Sequence, residues 1–275
     1  MAVSSTSGAI IAVGGAEEKV DRRQVLERFV MEAGGRRARV AILPTASAVP
    51  EERAAFYAQV FTDIGVGEAF HVPIASREDA QRPENVAALA DASGVFLTGG
   101  DQARLVSALS GTPAFDALWK RLIAGGVLAG TSAGASAFSA TMIAGGQGGL
   151  QLRRDAVRLA PGLGIIQRLI IDQHFSQRDR LGRLLAAIAL EPDRLGVGID
   201  EDTAIVYWGS GELEVIGSGH VFVVDAHKAT TRGLDERPPD HPFTLAGVRL
   251  HVLTQGDRFS VTRREPLTDR PERAS

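Results

Sequence analysis

Short apolar runs that stop at glycine or proline alternate along this chain with longer amphipathic segments, the pattern expected of a mostly parallel sheet flanked by helices. Residues 9–13 (AIIAV) open the series and end at Gly14-Gly15. Residues 20–33 then read as a helix with Val25, Leu26, Phe29 and Val30 on one face. Residues 39–43 (RVAIL) read as a buried strand ended by Pro44, and residues 51–64 as a second helix. The same grammar gives a strand over 94–98, a helix over 113–124 and strands over 127–129 and 169–172. Residues 176–190 read as a helix with Leu181, Leu184, Leu185 and Ile188 spaced for burial, and Ser176 with Asp179 resembles a capping box.

Beyond Gly196 the texture changes to hairpins. Residues 203–208 and 212–216 flank Gly209-Ser210-Gly211, residues 220–225 continue the strands, and 243–262 holds a further expected hairpin. The expectation is therefore α/β with extra β-hairpins in the C-terminal part. With 275 residues, 44% of them apolar, one large domain is affordable, and without repeats or a linker residues 1–265 read as that single domain. Residues 266–275 (PLTDRPERAS) read as a disordered tail.

Thirty basic residues face 33 acidic ones, so the chain lacks the global positive field that nucleic-acid binding draws on. The absence of cysteine removes disulfides, thiolate metal sites and a cysteine nucleophile together. Residues 1–8 do not look like a signal peptide, and no apolar stretch approaches the roughly 20 residues of a membrane span, so the expectation is a cytoplasmic protein without a membrane partner.

Gly130-Thr131-Ser132-Ala133-Gly134 fits Gly-x-Ser-x-Gly between an apolar strand and a helix-like run, the setting in which this motif makes a nucleophile elbow. Gly99-Gly100 ends another expected parallel strand, where open sheets collect ligands. Its amides could join that of Ala133 as an oxyanion hole. A serine nucleophile needs a base and an orienting carboxylate. Of the six histidines, His71, His220, His227, His241 and His251 fall in or beside expected hairpins and loops, whereas His174 follows a strand and precedes a helix. For the carboxylate, spacing leaves Asp172, Asp179, Asp200, Glu201 and Asp202 in play, with 172 and 200–202 preferred. No histidine pair has metal-ligand spacing with a carboxylate, and the Gly14-Gly15 turn lacks a P-loop ending, so neither a metal nor another cofactor is expected.

The blocks Gly-Gly-Ala-Glu-Glu-Lys (14–19), Thr-Gly-Gly-Asp-Gln (98–102), Gly-Thr-Ser-Ala-Gly-Ala (130–135), Asp-Gln-His-Phe (172–175) and Ile-Asp-Glu-Asp-Thr-Ala (199–204), in this order, resemble the cyanophycinase family over nearly the whole chain. The resemblance implies a three-layer α/β/α sandwich like that of class I glutamine amidotransferases, and a serine exopeptidase that cuts multi-arginyl poly-aspartate into β-Asp-Arg dipeptides. It makes Ser132 the nucleophile, His174 the base and Glu201 the orienting carboxylate. Gln102, Asp172, Gln173, Arg178, Arg180 and Arg183 match the family's substrate-pocket positions, and a homodimer is implied.

Arg178 and Arg180 would stand in the first turns of the expected helix, against its macrodipole, at roughly 0.3 to 1 kcal/mol each. Two features depart from the family pattern. Glu18 stands where aspartate is frequent, and residues 145–154 match no motif, leaving tolerance for lysine in the substrate open. The rival readings are an aspartyl dipeptidase with the same triad, and a non-catalytic binding protein of the same fold.

Overall fold

The computed structural model describes residues 8–21 and 23–267. A nine-stranded sheet forms its centre, in the order Glu265–Leu267, Arg258–Ser260, Glu212–Gly217, Thr203–Trp208, Ala9–Val13, Val127–Thr131, Gly94–Leu97, Arg39–Leu43 and Glu68–His71. From Ala9–Val13 to Glu68–His71 every pairing is parallel. From Ala9–Val13 the other way every pairing is antiparallel. The parallel half carries the continuous apolar runs seen in the sequence because both of its faces are covered.

One face of this sheet packs Ile11, Val13, Val40, Ile42 and Phe96 against Val25, Leu26 and Phe29 of helix Gln24–Glu32 and Tyr57 and Phe61 of helix Pro50–Ile64. Three of those rings close on one another: the Phe96 ring centroid lies 5.7 Å from Phe29 and 5.2 Å from Phe61. On the other face, Ile10, Ala12, Leu43 and Leu97 share a core with helices Gln102–Leu109 and Pro113–Ile123 and with a second sheet.

That second sheet is the main departure from the sequence expectation. Residues 169–172 were expected as one more strand of the series; strand Leu169–Gln173 instead starts a separate four-stranded sheet with Leu195–Ile199, Val221–Asp225 and Arg249–Leu253. Leu169 and Ile171 face the shared core, while Ile170 faces Leu184 and Ile188 of helix Leu181–Leu190, so this sheet too is apolar on both sides. The chain is thereby an α/β sandwich with an added sheet and helix.

The expected hairpin over 243–262 does not form as one unit. Its strands Thr244–Ala246, Arg249–Leu253 and Arg258–Ser260 pair with Thr230–Arg232, Val221–Asp225 and Glu212–Gly217 respectively, in three different sheets. Residues 266 and 267 of the expected tail close the edge of the main sheet; 268–275 lie outside the described residues, as do 1–7 of the leader reading. His71 ends a parallel edge strand and directly precedes a loop. Among the described residues no helix is long and apolar enough to cross a membrane.

Candidate active site

Ser132 sits between strand Val127–Thr131 and the short helix Ala133–Ser136 with φ +53° and ψ −110°, backbone that only a tightly held residue keeps. Its amide donates to Val13 O at 3.0 Å, pinning the turn to the first strand. The flanking glycines are steric necessities. A Cβ on Gly130 would meet the Gly134 carbonyl carbon at 2.6 Å, and one on Gly134 would meet Leu97 O at 2.6 Å. The turn can be this sharp because the chain passes itself at backbone contact, which leaves Ser132 Oγ projecting from the sheet's C-terminal edge.

There it meets His174, which follows strand Leu169–Gln173 in the second sheet. Ser132 Oγ and His174 Nε2 are 3.0 Å apart, and His174 Nδ1 and Glu201 Oε1 are 2.6 Å apart. His174 adopts φ +45° and donates its amide to Gly14 O at 2.8 Å. Gly15 lies against the imidazole so closely that a Cβ there would stand 2.4 Å from Cε1. Burial lowers the imidazole pKa, the hydrogen bond to Glu201 raises it, and the charges of Arg178 and Arg180 lower it further, for a net decrease.

The other carboxylates left open by spacing have different occupations. Asp200 is buried and accepts from the amides of Ser176 and His220. Asp202 accepts from the Glu18 amide and the Ser218 hydroxyl. Asp179 adopts a left-handed conformation, with its carbonyl accepting from Gly149 N at 2.7 Å. Glu201 alone of the set touches His174.

Gly99 lies beside the nucleophile, since a Cβ on it would stand 3.8 Å from Ser132 Oγ. Gly100 has φ +144° and runs against Ala46, whose carbonyl oxygen would be 1.9 Å from an added Cβ. Both glycines, with Ser132 and His174, line a cleft of roughly 440 Å³. Ala133 N is the first amide after Ser132, at the start of the short helix.

The expected pocket residues divide. Gln173, buried, places Oε1 3.3 Å from Ser132 Oγ. Gln102 donates Nε2 to Ile143 O at 2.9 Å. Arg178 is exposed at the end of a 3₁₀ turn, Ser176–Arg178. Asp172, Arg180 and Arg183 form one buried ionic cluster. Asp172 has no exposed surface, accepts from Arg183 Nε at 2.6 Å and Nη2, and stands 3.4 Å from Arg180 Nη1. Arg180 also donates to Gln173 O at 2.5 Å, and Arg183 to Gly146 O at 3.3 Å. Burial lowers the Arg180 pKa to about 10 although Asp172 works to raise it.

The helix expected from 176 begins only at Leu181, and no capping box forms. Asp179 turns left-handed at φ +48° and Asp200 takes the Ser176 amide instead. Arg180 is consequently the N-cap, with its charge answered by Asp172 inside the protein.

The model of peptidase family S51 matches residues 9–215. The chain belongs to peptidase family S51. This S51 chain is 42% identical over 264 residues to a cyanophycinase of a Nostoc species, covering 96% of the chain and 89% of that protein. It is 40% identical to a cyanophycinase of Synechococcus elongatus, covering 94% of the chain and 80% of the relative. Among solved structures it resembles a peptidase from an acI-B1 Actinobacterium at TM-score 0.66 and 25% identity, over 94% of this chain and 98% of that one. The S51 chain is a serine peptidase.

One residue of this S51 site was not singled out by sequence reasoning. Glu17 is 2% exposed, and its Oε1 accepts from Tyr57 Oη at 2.5 Å while its Oε2 accepts from Thr131 Oγ1 at 2.7 Å. A glutamate in a polar loop reads as solvated, and nothing local marks it as buried. The unassigned segment 145–154 also acquires a place. It links strands Thr141–Gly146 and Val157–Pro161, and its Gly149 amide and the Gly146 carbonyl hold Asp179 and Arg183.

Proposed function

We propose that this peptidase hydrolyses cyanophycin, multi-arginyl poly-aspartate, from its end to β-Asp-Arg dipeptides through an acyl-enzyme on Ser132. The observation that carries the reading is the continuous hydrogen-bonded line from Ser132 Oγ through the His174 ring to Glu201, in a chain similar to cyanophycinases along nearly its whole length. His174 Nε2 takes the Oγ proton as Oγ bonds to the scissile carbonyl carbon, while Glu201 holds Nδ1–H and steadies the imidazolium. Negative charge on the carbonyl oxygen is met by backbone amides of Gly99, Gly100 and Ala133. Collapse breaks the C–N bond, and His174 returns the proton to the departing amine. Water, deprotonated by His174, then releases the acyl group and restores Ser132.

Gln102, Gln173, Arg178, Arg180 and Arg183 bind substrate in this reading, and Asp172 sets the charge of the arginine group. Asp172 has one negative charge for two buried guanidinium groups, so the cluster keeps a surplus positive charge close to His174. A substrate carboxylate complements it. Incubation with insoluble cyanophycin and mass spectrometry of the soluble fraction tests the reading: β-Asp-Arg is the expected product, and a folded enzyme that releases none is not a cyanophycinase. Hydrolysis of Asp-Xaa dipeptides in its place would favour the dipeptidase. The family resemblance also suggests a homodimer, and a monomeric mass by light scattering would remove the dimer.

The base must be neutral to act. Because burial and the neighbouring arginines lower the His174 pKa, kcat/KM should rise with pH along an acidic limb centred below the ordinary imidazole value of about 6.5. Replacing exposed Arg178 by Gln removes one of the depressing charges and should move that limb upward. A limb unmoved by Arg178→Gln would mean that the charge is screened out.

A further inference from the structure

The cleft over Ser132 and His174 is lined on another wall by Lys19 and Arg53. Its one lining carboxylate, Glu17, is already engaged by the hydroxyls of Tyr57 and Thr131. Lys19 is not a loose surface lysine. Its Nζ donates to Glu17 O at 2.5 Å and lies 3.5 Å from Glu17 Oε1, and its side chain is 22% exposed. Glu17 thus ties the ammonium and the residue preceding the nucleophile to the same carboxylate. An ammonium has three donors, so the tether leaves capacity for a ligand. Arg53 stands exposed on helix Pro50–Ile64 with its guanidinium 6.0 Å from the Phe56 ring centroid, and among the described residues it has no carboxylate ion-pair partner.

We propose that Lys19 and Arg53 form a carboxylate subsite that holds the α-carboxylate of a substrate arginine while Ser132 attacks. The inference rests on the cyanophycin reading and names what this wall recognises. Each repeat of the polymer uses its aspartate carboxyls in amide bonds, so the arginine carboxylate is the anion every internal unit offers. Two cations on the wall repel the guanidinium of the same unit, which orients it outward or toward another partner. A tethered ammonium and a planar guanidinium lining one cleft suit a carboxylate, with Arg53 able to bind it through two parallel donors.

The experiment uses a soluble trimer of β-Asp-Arg and its analogue in which every arginine carboxylate is an amide, with wild type, Lys19→Met, Arg53→Met and Lys19→Arg. Wild type should prefer the carboxylate trimer. Each Met variant should raise KM for that trimer about tenfold, the scale of one lost charge-assisted hydrogen bond, and should change KM for the amide far less. Lys19→Arg should keep most of the preference, because the charge remains. A purely structural role would affect both substrates alike. Should Lys19→Met fail to fold, Arg53→Met, at an exposed position, decides. If wild type cleaves the trimer and the folded Met variants keep the wild-type preference for carboxylate over amide, the subsite is wrong and the cyanophycin reading stands. If wild type cleaves neither substrate, the reading falls and the subsite falls with it.

Discussion

Ser132→Ala should lower kcat for β-Asp-Arg release by roughly a millionfold, because the hydroxyl is the atom that forms and breaks the acyl bond. The substitution leaves the fold alone. Alanine, like serine, is a non-glycine residue at φ +53°, so the cost of that backbone is already present in the native protein. The loss is confined to the Oγ contacts with His174 Nε2 and Gln173 Oε1, and the unfolding free energy should stay within about 1 kcal/mol of wild type. Adding Glu201→Ala to Ser132→Ala should then cost little more activity, since groups that act as one unit do not contribute additively. Single-turnover rates with mass-spectrometric product detection measure both. A fall of only tenfold in Ser132→Ala would mean that another group attacks the substrate, and the roles of His174 and Glu201 would have to be reassigned.

The largest effect on stability is expected away from the nucleophile, at Asp172→Asn. Asp172 is fully buried and is the shared counter-ion of Arg180 and Arg183, whose side chains are 10% and 7% exposed. Neutralising it leaves two desolvated guanidinium groups facing each other, and removing one partner from such a buried group costs about 3–5 kcal/mol. The Asp172 side chain also accepts the amide of Gln173, the residue before His174, so the base should lose its placement as well. Urea unfolding of Asp172→Asn against wild type reads the cost. A change below about 1 kcal/mol would mean that water or an anion already compensates the cluster. Replacing Asp172, Arg180 and Arg183 together by apolar residues of similar size should recover stability but not activity.

The order of β-α units was legible in the sequence because a parallel strand covered on both faces must be a short continuous apolar run, and a helix between two such strands must be amphipathic. Residues 9–13, 39–43 and 94–98 show the first property and residues 51–64 the second, and the structure departs from these bounds by a residue at most. The nucleophile elbow was legible for a local reason too: Gly130 and Gly134 are imposed by contacts at Gly134 and Leu97, so the pentapeptide carries its own geometry. Periodicity does not state which sheet a strand joins. Strand Leu169–Gln173 has the same apolar texture as Val127–Thr131, yet it belongs to another layer, and the strands within 243–262 pair with three different partners.

The same limit governed the site. Its candidate nucleophile and histidine each lie at the end of a strand, a position that a sequence displays, and the choice of Glu201 came from family resemblance and not from spacing. The neighbouring Asp200 and Asp202 are equally acidic and one residue away. Only the tertiary structure turns Asp200 inward to two amides and Asp202 toward Glu18 and Ser218, leaving Glu201 at 2.6 Å from the imidazole. The helix start at 176 failed for a related reason, because Asp200, remote in sequence, takes the Ser176 amide that a local cap would have used. What the sequence by itself determined was thus several of the strands and helices and the chemistry at their ends, since these follow from the apolar period and from contacts a few residues apart. Which carboxylate reaches His174, which arginines are buried on Asp172, and that Glu17 is held between Tyr57 and Thr131 depend on groups brought together across layers. Burial and hydrogen-bond partners at that distance are properties of the packed chain, and no local pattern encodes them.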